Sequence, residues 1–352
     1  MHARMRDFIR EDLRTIVGDA AFSVDALRNS CILVTGGTGF VGTWVAELCT
    51  FLNDEHGFNT RILLLSRNPH TLEGAAPHLV QRKDVALIAK DVRSIIDIPG
   101  DVEWIIHAAG TPDNSIHASD PLRVMQVIGQ GLGAVLDSAS RLTQLKRIMN
   151  VSSGLVYGQQ PLDVERLSET SFYGFNCASV GSIYAEAKRF AESLCSAFRN
   201  IQRLPIIITR PFAFIGPYQR LDRPWAINNF MRDTLMGGPI RILGDGQTVR
   251  SYMYAAEMAW WMLCLLVKGA SGASYNVGSP HGISLLDLAG KILQSCGGTQ
   301  AILTSQTQGF SAKRSRFVPD VGLAERSLGL KVRMDLDGAI RRTILWHRTM
   351  AV

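Results

Sequence analysis

Between an apolar run, Ser30-Cys31-Ile32-Leu33-Val34, and a helical pattern over residues 44–52, the chain carries Thr35-Gly36-Gly37-Thr38-Gly39-Phe40-Val41-Gly42. No other segment restricts the fold as strongly, because glycines at this spacing suit a strand that turns sharply into a helix. Gly36 permits the tight turn, Gly39 lets backbone amides approach a phosphate, and Gly42 lets the helix pack closely. The helix start that follows, with Phe40 and Val41 in its first turn, favours an anion. The segment points to a dinucleotide pyrophosphate held at a βα turn.

Further apolar runs at residues 61–66, 85–89, 104–109, 147–152 and 204–210 read as buried strands, and helical periodicity covers 121–140 and the stretch from about 183 onward. Strands alternating with helices predict an α/β protein with a doubly wound parallel (Rossmann) sheet. Beyond Gly216-Pro217 the alternation becomes irregular. Residues 30–215 are therefore expected to form the dinucleotide-binding domain, and 216–352 mainly a smaller substrate-binding lobe, with some segments returning to the sheet. Residues 1–29 stand ahead of the first strand. There Met5, Phe8, Ile9, Leu13, Ile16 and Val17 oppose Arg6, Arg10, Glu11 and Arg14, which predicts an added amphipathic helix packing on the body or on a second subunit.

The 352 residues suffice for a large core, and 37 basic against 31 acidic residues leave a net charge of +6. The basic residues form no run, so an anionic small substrate accounts for the excess better than nucleic acid does. Six cysteines without a C-x-x-C pair point to neither a metal site nor a disulfide framework, and fit a reducing cytoplasm. The start of the chain lacks the apolar core of a signal peptide. The longest apolar run, 258–267, is far short of the ~20 residues a membrane span needs and is expected to be a buried helix.

Charge at the second strand's end bears on the cofactor. An acid there would meet ribose hydroxyls, whereas this chain has Ser66-Arg67, suited to a 2′-phosphate. NADP is therefore expected, with NAD as the alternative. Asp91-Val92, after the third strand, is placed to meet the adenine. Downstream, Tyr184 and Lys188 lie one helical turn apart on one face, and Ser152-Ser153 ends a strand directed at the same crevice. A phenol is a poor base at neutral pH, so Lys188 is expected to lower the Tyr184 pKa and to hold the nicotinamide ribose. Ser153 is expected to hydrogen-bond the substrate oxygen that gains or loses the proton.

With these features in order, the chain resembles the extended short-chain dehydrogenase/reductase family, in its NAD(P)-dependent nucleotide-sugar epimerase/dehydratase branch, over about residues 31–346. Matching stretches are the glycine turn, His107-Ala108-Ala109-Gly110, 151–158, the Tyr184/Lys188 pair, Arg210-Pro211-Phe212, Gly216-Pro217, Asn229-Phe230, Gly244-Asp245-Gly246 with Arg250, 275–278 and Pro319-Asp320. The resemblance implies that Ala108, Ala109, Gly110 and Pro211 lie against the cofactor. It implies a nucleoside-diphosphate sugar as substrate, contacted by Asn229, Arg250 and Arg316, and a homodimer paired through 121–140 and 183–199.

Departures from the family pattern narrow the chemistry. Sugar 4,6-dehydratases carry acids at the two positions after the catalytic hydroxyl, and nucleotide-sugar decarboxylases carry Glu at the second. Here those positions are Gly154 and Leu155, and neither moves a proton. The expected activity is a 4-ketoreductase, with hydride reaching C4 of the sugar while Tyr184 protonates the oxygen. A 4-epimerase uses the same Ser153, Tyr184 and Lys188 and is the alternative. A decarboxylase, a dehydratase or a non-catalytic NADP-binding module is less favoured.

Overall fold

The computed structural model describes residues 2–95, 97–110, 114–305 and 315–350. The first six strands are β1 (Cys31–Thr35), β2 (Arg61–Ser66), β3 (Val85–Ala89), β4 (Trp104–His107), β5 (Arg147–Val151) and β6 (Ile206–Pro211). Four short strands follow, β7 (Ala213–Ile215), β8 (Ile240–Ile242), β9 (Val249–Arg250) and β10 (Tyr252–Tyr254), before β11 (Ser274–Val277) returns to the main sheet. That sheet has seven parallel strands in the order β11-β6-β5-β4-β1-β2-β3. The order reverses between β1 and β4, so a crevice opens outside the carboxyl ends of those strands.

Several expected boundaries move, for local reasons. The fourth and fifth strands stop at His107 and Val151, short of Ala109 and Ser152, because the chain turns there into the crevice. The sixth begins at Ile206, since Pro205 has no N–H to give a ladder. The region after Gly216 is more ordered than its sequence indicates and closes with β12 (Ile283–Ser284), β13 (Ile302–Thr304) and β14 (Arg316–Phe317). These form two small sheets, β12-β9-β14 and β13-β8, beside the main one.

The helices up to the crevice are α1 (His2–Val17), α2 (Phe40–His56), α3 (Thr71–Ala75), α4 (Pro77–Val80), α5 (Asn114–Ser119), α6 (Pro121–Ala139) and α7 (Ile183–Gln202). The later ones are α8 (Ala226–Leu235), α9 (Ala255–Lys268), α10 (Leu285–Ser295), α11 (Gly322–Leu328) and α12 (Leu336–Met350). Alternate residues of each strand feed opposite layers: Leu33 and Ile148 meet the α6/α7 side, while Ile32 and Met149 meet the α2/α9 side. On the second side α1 adds an outer layer over α9. This explains why α9 is apolar all round, with every residue from Ala255 to Leu266 buried. Among the described residues no helix is long and apolar enough to cross a membrane.

The N-terminal helix packs on the body of its own chain. Ile9, Leu13, Ile16 and Val17 are fully buried, Phe8 meets Trp346 edge-on at 5.6 Å, and Arg342 lies 3.7 Å over the Phe8 ring. Asp12 is buried between Tyr254, which donates to it, and Arg342 at 2.6 Å; burial pushes its carboxyl up to about 6. Arg10 and Arg14 reach Asp54 and Glu55 at the end of α2. Leu13→Ala should therefore cost ~2–5 kcal/mol of stability, to be measured by urea unfolding. A cost near zero would mean that the helix is only loosely applied.

Candidate active site

The glycine turn sits where β1 meets the ends of β2 and β4. Gly36 has φ +69°, and a Cβ there would stand 2.7 Å from the Ala108 carbonyl oxygen. Gly42 carries α2 onto the turn so closely that a Cβ would meet Gly37 at 2.6 Å. Gly37, which the spacing argument did not single out, leaves no room for a side chain beside Leu64. Gly39 precedes α2 as its N-cap and offers no side-chain cap, so the first-turn amides of Phe40 and Val41 stay open to an anion.

From this turn a cavity of about 330 Å³ runs along the strand ends, lined by Gly36, Ser66, Arg67, Asp91, Val92, Ala109 and Gly110. Lys90, Arg123 and Ile116 line it too, and sequence reasoning missed all three. Thr38 hydrogen-bonds Ser66 at 2.8 Å, tying the turn to the end of β2. Asp91 caps the next turn and is held by the Arg93 guanidinium at 2.9 Å, which draws its carboxyl down to about 2. A larger hollow, about 820 Å³, lies among Tyr252, His281, Lys291 and Arg333. Ser153, Tyr184 and Lys188 line neither hollow, but the smaller one holds the glycine turn and Gly110, which lies against Lys188 Nζ, whereas the larger one has no such link to the pair.

On α7, Tyr184 and Lys188 are buried side by side, the ammonium 5.9 Å from the phenol ring centre. Lys188 Nζ donates to the Val151 carbonyl at 2.7 Å and lies close to Gly110, whose Cβ would stand 3.6 Å from it. Burial draws the ammonium down to about 8, while the Glu192 carboxylate, one turn further along, pulls the other way. Tyr184 hydrogen-bonds Ser153, which caps a short turn by accepting from the Leu155 N–H at 3.1 Å. The expected lowering of the Tyr184 pKa by Lys188 is not what the structure shows. Burial dominates and pushes the phenol up to about 12, opposed only by the Ser153 hydrogen bond.

Glu192 is the residue the sequence reading lacked, although its place eight residues after Tyr184 on the same helical face was a usable signal. It accepts from Ser152 at 2.6 Å and from Arg210 at 3.0 and 2.6 Å. Arg210 continues to the Tyr157 hydroxyl at 3.1 Å, and Tyr157 donates to Asn276 at 2.6 Å. Asn276 in turn reaches the Leu167 and Asp320 carbonyls, both at 2.8 Å. Pro211 ends β6 opposite Val277, beside these groups.

Leu155 is exposed, whereas Gly154 is walled in. A Cβ at Gly154 would stand 2.7 Å from Phe212 and 2.9 Å from Phe317, two rings stacked at 4.4 Å. Of the expected substrate contacts, Arg250 and Arg316 lie on adjacent strands β9 and β14 but one position out of register, Arg250 opposite Phe317 and Arg316 opposite Val249, which turns them to opposite faces. The Arg250 guanidinium binds its own chain, at Val249 O (2.8 Å) and Ser315 Oγ (3.1 Å). Asn229 stands apart from them on α8, half-buried.

Fold and site together define a dinucleotide-fold protein with a Tyr–Lys helix beside the strand ends. The sequence profile of the NAD dependent epimerase/dehydratase family matches residues 32–278, and the chain belongs to that family. It is 25% identical over 318 residues to UDP-glucuronic acid decarboxylase 1 of Xenopus tropicalis, covering 90% of this chain and 72% of the relative. It is 26% identical to the low-salt glycan biosynthesis protein Agl12 of Haloferax volcanii, covering 76% and 83%. Among solved structures, the enzyme WbmF of Bordetella bronchiseptica with NADH superposes with TM-score 0.76 at 18% identity, covering 93% and 94%. A UDP-glucose 4-epimerase of Thermotoga maritima with UDP-glucose gives 0.76 at 19%, covering 92% and 100%.

Replacing Glu192 by Gln keeps the shape and removes the charge, leaving Arg210 unbalanced nearby. Both changes disfavour the Lys188 ammonium, so its proton should come off below the pH of about 8 expected of the native protein, by on the order of one pH unit. A 13Cε-lysine NMR titration reads this directly, and an unmoved midpoint would mean that Glu192 has no electrostatic hold on Lys188.

Proposed function

We propose that this protein is an NADP-dependent 4-ketoreductase acting on a nucleoside-diphosphate sugar. The observation that carries the proposal is the Tyr184–Ser153 pair standing at the strand ends, with Gly154 and Leu155 in place of acids at the two positions after Ser153. In the family pattern the 4,6-dehydratases carry acids at the positions of Gly154 and Leu155, and the decarboxylases carry Glu at that of Leu155. At Gly154 the Phe212 and Phe317 rings fill the space such a side chain would take.

The uncapped first turn of α2, the glycines without room for a Cβ and the cavity along the strand ends fit a dinucleotide. When bound there, it would supply the hydride. The chain's own residues do the rest. Tyr184, held as a neutral phenol by burial, donates its proton to the carbonyl oxygen as negative charge develops on it. Ser153 orients that oxygen through its hydroxyl. Lys188, fixed on the Val151 carbonyl, holds the ribose near the nicotinamide and keeps a positive charge beside the developing tyrosinate. A protonated phenol suits reduction, whereas epimerisation begins with proton removal.

NADP is favoured because Arg67, Lys90 and Arg123 line the cavity near Ser66, while Asp91 is committed to Arg93. Asn229, Arg250 and Arg316 are assigned by their family positions to the nucleotide or diphosphate, an arginine being suited to clamp phosphate. A homodimer through α6 and α7 accounts for the exposed Leu122, Met125, Phe190 and Ile201 on those helices, in a cytoplasmic protein.

The activity is tested by offering nucleoside-diphosphate 4-keto sugars and following NADPH absorbance. Stoichiometric consumption supports reduction, and product without consumption would replace it by epimerisation. Arg67→Ala should weaken NADPH binding about tenfold and NADH binding much less, as read by quenching of protein fluorescence. Equal losses for both cofactors would remove the 2′-phosphate assignment.

A further inference from the structure

His117 takes no part in the chemistry described above, yet its ring lies parallel to that of Tyr184, with centroids 4.4 Å apart and planes 13° apart. Both residues are 7% exposed, and the imidazole stacks on one face of the phenol. Among the described residues, Ser153 from the turn after β5, Lys188 from its own helix and His117 from α5 meet Tyr184. Six residues cannot sustain a helix alone, and α5 is held by packing on α6 and on the turn at 180–182, just ahead of Tyr184. Its neighbouring residues face two ways. Ile116 lines the cofactor cavity, and His117 seals the tyrosine.

We propose that His117 is a positioning residue that fixes the plane of the Tyr184 phenol and keeps water from the face it stacks on, so that the hydroxyl edge beside Ser153 is presented to substrate. The proposal rests on the reading of Tyr184 as the proton donor. A parallel offset pair resists rotation of the phenol about its Cβ–Cγ bond, which keeps the hydroxyl aimed at Ser153. Burial is the first cause of the raised phenol pKa, and the imidazole is part of what buries it. Removing the ring opens that face to water, stabilises tyrosinate and leaves the phenol free to turn.

The test compares His117→Ala with His117→Phe, which restores a flat ring without the imidazole nitrogens. Tyr184 ionisation is read in the cofactor-free protein as ultraviolet tyrosinate absorbance, subtracting the same variant carrying Tyr184→Phe. Native protein and His117→Phe should hold the phenol protonated up to about pH 12, or until the fold is lost. His117→Ala should ionise it at least ~1 pH unit lower. In turnover, His117→Ala should lose ~3–10-fold in kcat with little change in KM, and His117→Phe should recover most of it. Unchanged ionisation and turnover in His117→Ala would overturn the proposal. So would a His117→Phe protein that behaves like His117→Ala. Full turnover in Tyr184→Phe would instead remove the reading of Tyr184, and the titration, which needs no substrate, would still judge the stacking.

Discussion

Beneath the crevice, the Arg210 guanidinium meets both oxygens of Glu192, at 3.0 and 2.6 Å, in a setting where Arg210 is 5% exposed. Such a pair adds little net stability over an apolar pair of the same shape, but losing one member leaves an uncompensated buried charge. Its value here is geometric. It binds α7 to β6, and through Ser152 to the end of β5, so the helix carrying Tyr184 and Lys188 has one rotation and one depth relative to Ser153. Through Tyr157 and Asn276 the same chain of hydrogen bonds reaches β11 and the backbone at Leu167 and Asp320. Tyr184 and β11 are thus referred to a common point.

Burial then decides how Tyr184 and Lys188 hold their protons. Tyr184 and Lys188 both lie in a dry environment, which disfavours each charged form and drives their proton affinities apart, the phenol upward to about 12 and the ammonium downward to about 8. Glu192 moderates this for Lys188 from one helical turn away, and Ser153 moderates it for Tyr184. A spacing argument sees only the cation next to the phenol and predicts a lowered pKa. The desolvation that outweighs it comes from α5, β5 and the sheet, which lie far away in sequence.

Much of the fold was legible because parallel buried strands leave continuous apolar runs and glycine turns punctuate them. The second and third strands matched their runs at 61–66 and 85–89, and the helix of Tyr184 begins at Ile183. Less legible were elements whose order comes from packing alone. The strand pieces β7 to β10 are two or three residues long, too short for any period to register. Lys90, Arg123 and His117 converge on the site from separate loops and helices, with no local pattern to mark them.

By itself the sequence determined the glycine turn, the strand–helix alternation and the Tyr184/Lys188 pair, because each depends on spacing along one element. It also determined what is missing, since Gly154 and Leu155 carry no acid wherever the chain folds. Only the tertiary structure decided that α1 joins the core of its own chain, that Phe212 and Phe317 close the space at Gly154, and that Tyr184 is held as a neutral phenol under His117. Those outcomes depend on which distant groups exclude water from a given atom, and desolvation is a property of the packed volume that no stretch of sequence possesses alone.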